Sequence, residues 1–205
     1  MVKIVNKISN NKNHFKGVNP CNFITIHETG NTSRGSNALN HAKFIDNGSK
    51  ATWHYTVDKD RIVQHFNDNV QCWHAGDGRG KGNTQSIGIE MCINSDGNYL
   101  QTIDRTVDLV VHLMKKHNIS INNVVQHNYW SGKNCPMLMR SGKHGITWNQ
   151  FLSKIKSKFN NDKQTNDNKK LYKVQVGAFG VKENAIKLQK ELISKGYKDI
   201  FIKYE

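Results

Sequence analysis

The chain is short of acid. Sixteen Asp and Glu face thirty Lys and Arg, which leaves a formal charge of +14 over 205 residues. That deficit excludes an acidic or near-neutral protein and points to a polyanionic partner: nucleic acid, an anionic membrane or an anionic cell-wall polymer. Nucleic acid has no motif behind it, because the sequence holds no basic recognition helix, no zinc-knuckle spacing and no RNP-like aromatic strand. Long apolar runs are also missing. No segment approaches the roughly 18 residues that a membrane span needs, so stable membrane insertion is not expected. The opening MVKIVNKISNN has no apolar core of a secretory signal, and the expectation is a product made in the cytoplasm. The four cysteines, Cys21, Cys72, Cys92 and Cys135, form no CxxC pair. In a cytosolic product disulfides are rare, and the first three read as small buried hydrophobes.

What is present fits one or two domains. The composition changes near residue 157, where SKFNNDKQTNDNKK (157–170) has one aromatic and otherwise only polar side chains. Little there can offset the cost of ordering a backbone, so the stretch reads as a linker between residues 1–156 and residues 171–205. In the larger part, strand-like and helix-like segments alternate. FITIH (23–27) reads as a strand, residues 37–46 as a helix with Ser36 as N-cap, and residues 53–57 and 61–65 as a hairpin. SIGIEMCI (86–93) is a strand with Ile87, Ile89, Met91 and Ile93 on one face and Gly88, Glu90 and Cys92 on the other. Residues 102–117 and 148–159 carry apolar residues at spacings of three and four, the mark of amphipathic helices. The fold class is therefore α/β, a mixed central sheet flanked by helices. Residues 172–176, 182–195 and 200–204 read as a small C-terminal βαβ unit.

Ten histidines are many for this length. His14, His41, His112, His117 and His144 sit in polar or helix-surface contexts. His27 and His127 each end an apolar run, where side chains leave a core for a cleft, and Cys135 follows His127 by eight residues. Two histidines and one cysteine give zinc three ligands and leave a fourth position for water, the pattern of a catalytic site. Separation in sequence leaves the other reading open, three unrelated core residues.

Residues 1–156 resemble the zinc-dependent N-acetylmuramoyl-L-alanine amidases of the amidase-2 type, which share their fold with the peptidoglycan recognition proteins; the likeness is to the phage endolysin members. The segments that carry it are TIHETGN (25–31), ATWHYTVD (51–58), CWHAG (72–76), NTQSIGIEMC (83–92) and VVQHNYWSGKNCP (124–136), in matching order and spacing. The resemblance implies zinc on His27, His127 and Cys135, and hydrolysis of the amide joining N-acetylmuramic acid to L-alanine in bacterial peptidoglycan. It implies Glu90 as the general base and Lys133 as the cation facing the oxyanion. Trp53 stands where several relatives have a tyrosine linked to catalysis; an indole donates a hydrogen bond but relays no proton, which shifts the base role onto Glu90. Trp53, His54, Trp73 and His74 are expected to line the substrate groove.

Residues 172–197 resemble one repeat of the sporulation-related, SPOR, peptidoglycan-binding domain, which is built from two such units. A single unit of this size is too small to be stable alone, and the expectation is pairing of two chains into a homodimer through residues 171–205. The reading is thus an endolysin that reaches the wall by a holin-type route. A prophage-encoded autolysin of the same activity fits the same residues, as does a zinc peptidase cutting within the stem peptide. The rival from another class is a non-enzymatic wall-binding protein, and Cys135 favours the enzyme because non-catalytic relatives typically lack that ligand. Residues 161–205 carry ten Lys and six acids, so +4 of the charge sits there and +10 on residues 1–160. A surplus spread over both parts suits attraction to teichoic acids.

Overall fold

The structure, a computed structural model, describes residues 2–167, 174–198 and 200–203. The chain divides into two compact units, Met1–Gln164 and Thr165–Glu205. Among the described residues no helix is long and apolar enough to cross a membrane.

The first unit is built on a six-stranded sheet. Its strands are β1 (Ile4–Asn6), β3 (Phe23–Glu28), β4 (Tyr55–Val57), β5 (Ile62–Gln64), β7 (Ser86–Met91) and β8 (Val124–Gln126), while β2 (His14–Phe15) and β6 (Gln71–Cys72) form a separate pair. The order across the sheet is β1-β5-β4-β7-β3-β8. The β4–β5 hairpin is antiparallel, and the remaining ladders of this sheet are parallel. Alternation along the strands divides the sheet into two chemically different faces. Ile24, Ile26, Tyr55, Val57, Ile87, Ile89 and Met91 are buried on one face, in a single cluster with Ile103, Val107, Val110, Val111 and Met114 of α3 (Tyr99–His117). The other face carries Thr25, His27, His54, Thr56, Gly88 and Glu90.

Capping explains where the helices differ from expectation. α3 starts three residues earlier than its apolar periodicity, because Asn98 Oδ1 accepts from Gln101 N, and it ends on Asn118 in the left-handed region at φ 55°. α1 (Ala38–Asp46) is capped by Asn37, not Ser36: the Asn37 side chain accepts from the amides of Leu39 and Asn40. The remaining short helices are α2 (Lys81–Thr84), α4 (Asn128–Ser131) and α5 (Met137–Ser141).

The stretch read as a linker, residues 157–170, is corrected by α6, which runs Trp148–Asp167; residues 168–170 lie outside the described residues. A capping box starts this helix, with Thr147 N donating to Gln150 Oε1 and Gln150 N donating to Thr147 Oγ1. Phe151 and Ile155 anchor it in the core cluster, with Trp148, Leu152 and Phe159 packed alongside. Once a helix is nucleated by buried side chains, each further polar residue adds a backbone bond at small cost. Lys158 pairs with Asp108 at 2.6 Å and Asp162 with Lys115 at 2.7 Å, joining the polar turns to α3.

In the second unit α7 (Lys182–Ser194) forms as expected, with Ala185, Leu188 and Leu192 half-buried. The flanking strands of the βαβ reading are corrected: no ladder joins residues 174–176 to 200–203 among the described residues, and Tyr172, Lys173 and Tyr204 lie outside them. A two-stranded pairing with no further sheet to cover it is marginal in water, and Val174 is 84% exposed.

Phe151 tests the allocation of α6 to the first unit. Phe151→Ala is expected to cost about 3–5 kcal/mol of unfolding free energy in urea titrations, whereas Asp162→Asn at the exposed pair should cost less than about 1 kcal/mol.

Candidate metal centre

The parallel ladders bring three segments to one end of the sheet. In the β3–β7 register His27 stands opposite Glu90. The β3–β8 ladder ends at Ile26 and Gln126, and the next amide, His127 N, donates to Ile26 O at 3.1 Å. His27, Glu90 and His127 therefore gather at the carboxyl ends of parallel strands, the usual position of ligand sites in open α/β sheets. Cys135 arrives on the loop between α4 and α5. Asn128 shapes that loop: its amide donates to Cys135 O, and its side chain donates to the carbonyls of Gly132 and Lys133.

His27, His127 and Cys135 are all buried and each offers one ligand atom, the three lying within 4.8 Å of one another. His27 Nδ1 and His127 Nδ1 are 2.9 Å apart, near the roughly 3.3 Å separating two nitrogens on one tetrahedral zinc. The donor set fits zinc on chemical grounds as well. Burial first, then the neighbouring histidines and Lys133, hold His27 well below the ordinary imidazole value. Burial and then Lys133 bring His127 down to about 4. Both rings are thus neutral near pH 7 and carry the lone pairs a metal needs. Burial, with Glu90 adding, pushes the Cys135 thiol up to about 12; a divalent cation reverses that, since a coordinated thiol is deprotonated. His127 Nε2 and Glu90 Oε2 are buried without a hydrogen-bond partner among the described residues.

Glu90 Oε1 lies 3.8 Å from His27 Nδ1. Burial pushes its carboxyl up to about 8; Lys133 pulls against this and Glu28 adds to it. Lys133 itself is exposed on the loop two residues before Cys135, and its charge is felt at His27, His127, Glu90 and Cys135.

The groove expectation divides. Trp53 is interior: it packs with Ile45, Phe66 and Cys72, and its Nε1 donates to Thr56 Oγ1 at 2.7 Å. His54 is interior too, a strut whose Nδ1 accepts from Gly88 N and whose Nε2 donates to Val70 O. Having both ring nitrogens engaged by backbone leaves His54 nothing to offer a ligand. Trp73 is 40% exposed, and its ring lies 4.1 Å from that of Phe15 at a tilt of 31°. His74 is buried behind the centre, with Nδ1 at 3.0 Å from His27 Nε2.

Glu28 does not stand out in the sequence, where it reads as the start of a polar turn. It is buried on the face opposite His27, where Tyr99 Oη donates to Oε1 at 2.6 Å and the Leu138 and Met139 amides donate to the same carboxylate. Its own amide donates to Cys135 Sγ at 3.4 Å. The available signal was alternation: extending FITIH by one residue puts a carboxylate in line with Ile24 and Ile26.

A family model described as N-acetylmuramoyl-L-alanine amidase matches residues 17–137, a span that holds His27, Glu90, His127 and Cys135. The chain belongs to this amidase family. A second model, the SPOR domain, matches residues 147–203, and so takes in the whole of the helix Trp148–Asp167 that packs on the amidase core. The amidase XlyA of Bacillus subtilis is 46% identical over 134 residues, covering 65% of this chain and 43% of its own length. The amidase CwlH of the same organism is 43% identical over 145 residues, covering 70% of this chain and 56% of its own length. The chain thus spans about half the length of these curated relatives. The solved catalytic domain of XlyA superposes with a TM-score of 0.70 at 41% identity, covering 75% of this chain and 99% of that domain.

The buried carboxyl sets a pH dependence. Glu90 is raised above its ordinary 4.5 to about 8, so its protonated form contributes stability that is whole below about pH 4.5 and lost as pH rises through about 8. In chelator-treated protein, Glu90→Gln should lose less stability than wild type between about pH 5 and pH 9. The difference is expected to reach a few kcal/mol in thermal or urea unfolding; parallel pH curves would remove the shift.

Proposed function

We propose that this chain is a zinc-dependent N-acetylmuramoyl-L-alanine amidase that cuts the amide between N-acetylmuramic acid and L-alanine in peptidoglycan. The observation that carries the reading is the buried His27–His127–Cys135 cluster with Glu90 at 3.8 Å, at the open ends of parallel strands. His27, His127 and Cys135 would hold the metal. Zinc, when bound, supplies a Lewis acid that polarises a carbonyl oxygen and lowers the pKa of water to about 7. Glu90 takes the proton of the attacking water on its carboxylate and returns it to the nitrogen of the departing L-alanine. Burial suits it to both halves of that transfer, because a carboxyl raised towards neutrality both accepts and releases a proton at working pH. The ammonium of Lys133, approaching from the exposed loop, faces the charge that develops on the carbonyl oxygen, a contribution on the order of 3 kcal/mol in a water-poor site. Trp73, 40% exposed, is available to substrate.

The endolysin role belongs to the same reading, with release to the wall by a holin-type route; a prophage autolysin carries out the same cut. The SPOR match supports peptidoglycan as the target of the C-terminal segment, and the distributed positive charge supports teichoic acids as a further attraction. Exposed Val174 and Val176 support pairing of two copies through residues 171–205.

Mass spectrometry of digested peptidoglycan decides the activity. Free stem peptides beginning with L-alanine are expected; shorter fragments mean a peptidase, and no cleavage means a binding protein. Cys135→Ser should lose zinc and activity together. Glu90→Ala should keep zinc and lose activity by about 10²–10⁴-fold, and an active Glu90→Ala enzyme would remove the base assignment. Light scattering tests the pairing: the full chain should be a dimer and a version ending at Lys170 a monomer, while a monomeric full chain refutes it.

A further inference from the structure

His74 is not one of the three ligand-bearing residues, and the amide chemistry above makes no use of it. Its place in the fold is nonetheless tightly specified. Asn83 Oδ1 accepts from His74 N and from Ala75 N, both at 2.7 Å, and Asn83 is held in turn by Asp77 and by the carbonyl of Gly78. The imidazole of His74 lies flat over Gly88 of β7, where a Cβ would meet its ring atoms at 2.8–2.9 Å. Gly88 is itself fixed, since its amide donates to His54 Nδ1. The backbone clamp and the missing side chain together aim His74 Nδ1 at His27 Nε2, 3.0 Å away, with the two rings at 85°.

His27 therefore has both ring nitrogens committed. Nδ1 faces His127 and the cluster, and Nε2 faces His74. A neutral imidazole that turns one lone pair to a metal keeps its proton on the other nitrogen, and in a site only 1% exposed that proton needs a protein acceptor. Ligating histidines are commonly oriented by such a partner, a carboxylate or a carbonyl in most sites. Here the partner is a second imidazole.

We propose that His74 is a positioning residue of the metal centre: its Nδ1 accepts the Nε2 proton of His27, which fixes the tautomer that presents His27 Nδ1 to the metal. Gly88 is part of the device, because any side chain there displaces the ring. The proposal rests on the zinc reading, and the experiment separates the two. Zinc affinity of the full chain is measured by competition with a chromogenic chelator. If wild type binds no zinc, the metal reading fails. If wild type binds, His74→Leu should weaken zinc by about 10- to 100-fold, while His74→Asn, whose side-chain oxygen can accept from His27, should stay close to wild type. Gly88→Ala should weaken zinc without touching a ligand. Equal affinity in wild type and His74→Leu, or equal loss in the Leu and Asn variants, overturns the proposal. Nitrogen-15 NMR of the imidazoles in zinc-loaded wild type gives a readout that needs no variant. His27 should carry its proton on Nε2, and His74 should carry its own on the buried Nε2, with the Ser86 backbone as the group that bears on it; a proton on His74 Nδ1 refutes the acceptor role.

Discussion

The register of β3 against β7 and β8 is the constraint on which the site depends. Parallel pairing places His27 opposite Glu90 and delivers His127 one residue past the end of its own strand. Because side chains alternate, a slip of one residue would turn His27 into the apolar core and Glu28 towards the cleft. What prevents the slip is the other face, where Ile24, Ile26, Ile87 and Ile89 have no exposed surface. The hydrophobic effect that stabilises the sheet thus also sets the spacing of the polar groups behind it.

The polar face is costly to bury, and the structure offsets the cost by pairing histidines with backbone or with each other. His54 spans Gly88 and Val70, and His74 reaches His27. Each is held below the ordinary imidazole value, chiefly by burial, so the face is crowded with nitrogen lone pairs and carries little charge of its own near neutral pH. Burial pushes the Glu90 carboxyl up in the same way, with Lys133 pulling against it. A neutral, dry, lone-pair-rich pocket is a poor place for a free anion and a good one for a divalent cation.

Much of this was legible in the sequence. The strand pattern of SIGIEMCI, the helix stripe of α3 and the positions of His27 and His127 at strand ends follow from periodicity and residue type. Glu28 is obscured because FITIH reads as ending one residue before it, at the polar turn, and its role depends on Tyr99 and α5, far away in sequence. Trp53 and His54 read as groove wall because aromatic residues beside a site often line one; their burial is set by α1 and the loop after β5, which no local pattern reveals. The polar stretch after residue 157 reads as a linker for a different reason. Composition reports the cost of ordering a segment in isolation, and this one continues a helix already nucleated by Phe151 and Ile155.

That helix also bears on how modules of this kind can be exchanged. The SPOR match begins at residue 147, yet Phe151 and Ile155 belong to the hydrophobic cluster under the amidase sheet. A junction placed at the matched boundary separates the buried Phe151 and Ile155 from the rest of that cluster. A junction beyond Phe159 leaves that cluster whole. The seam that sequence similarity draws and the seam that packing permits are different, and only the second leaves the core of the first unit intact.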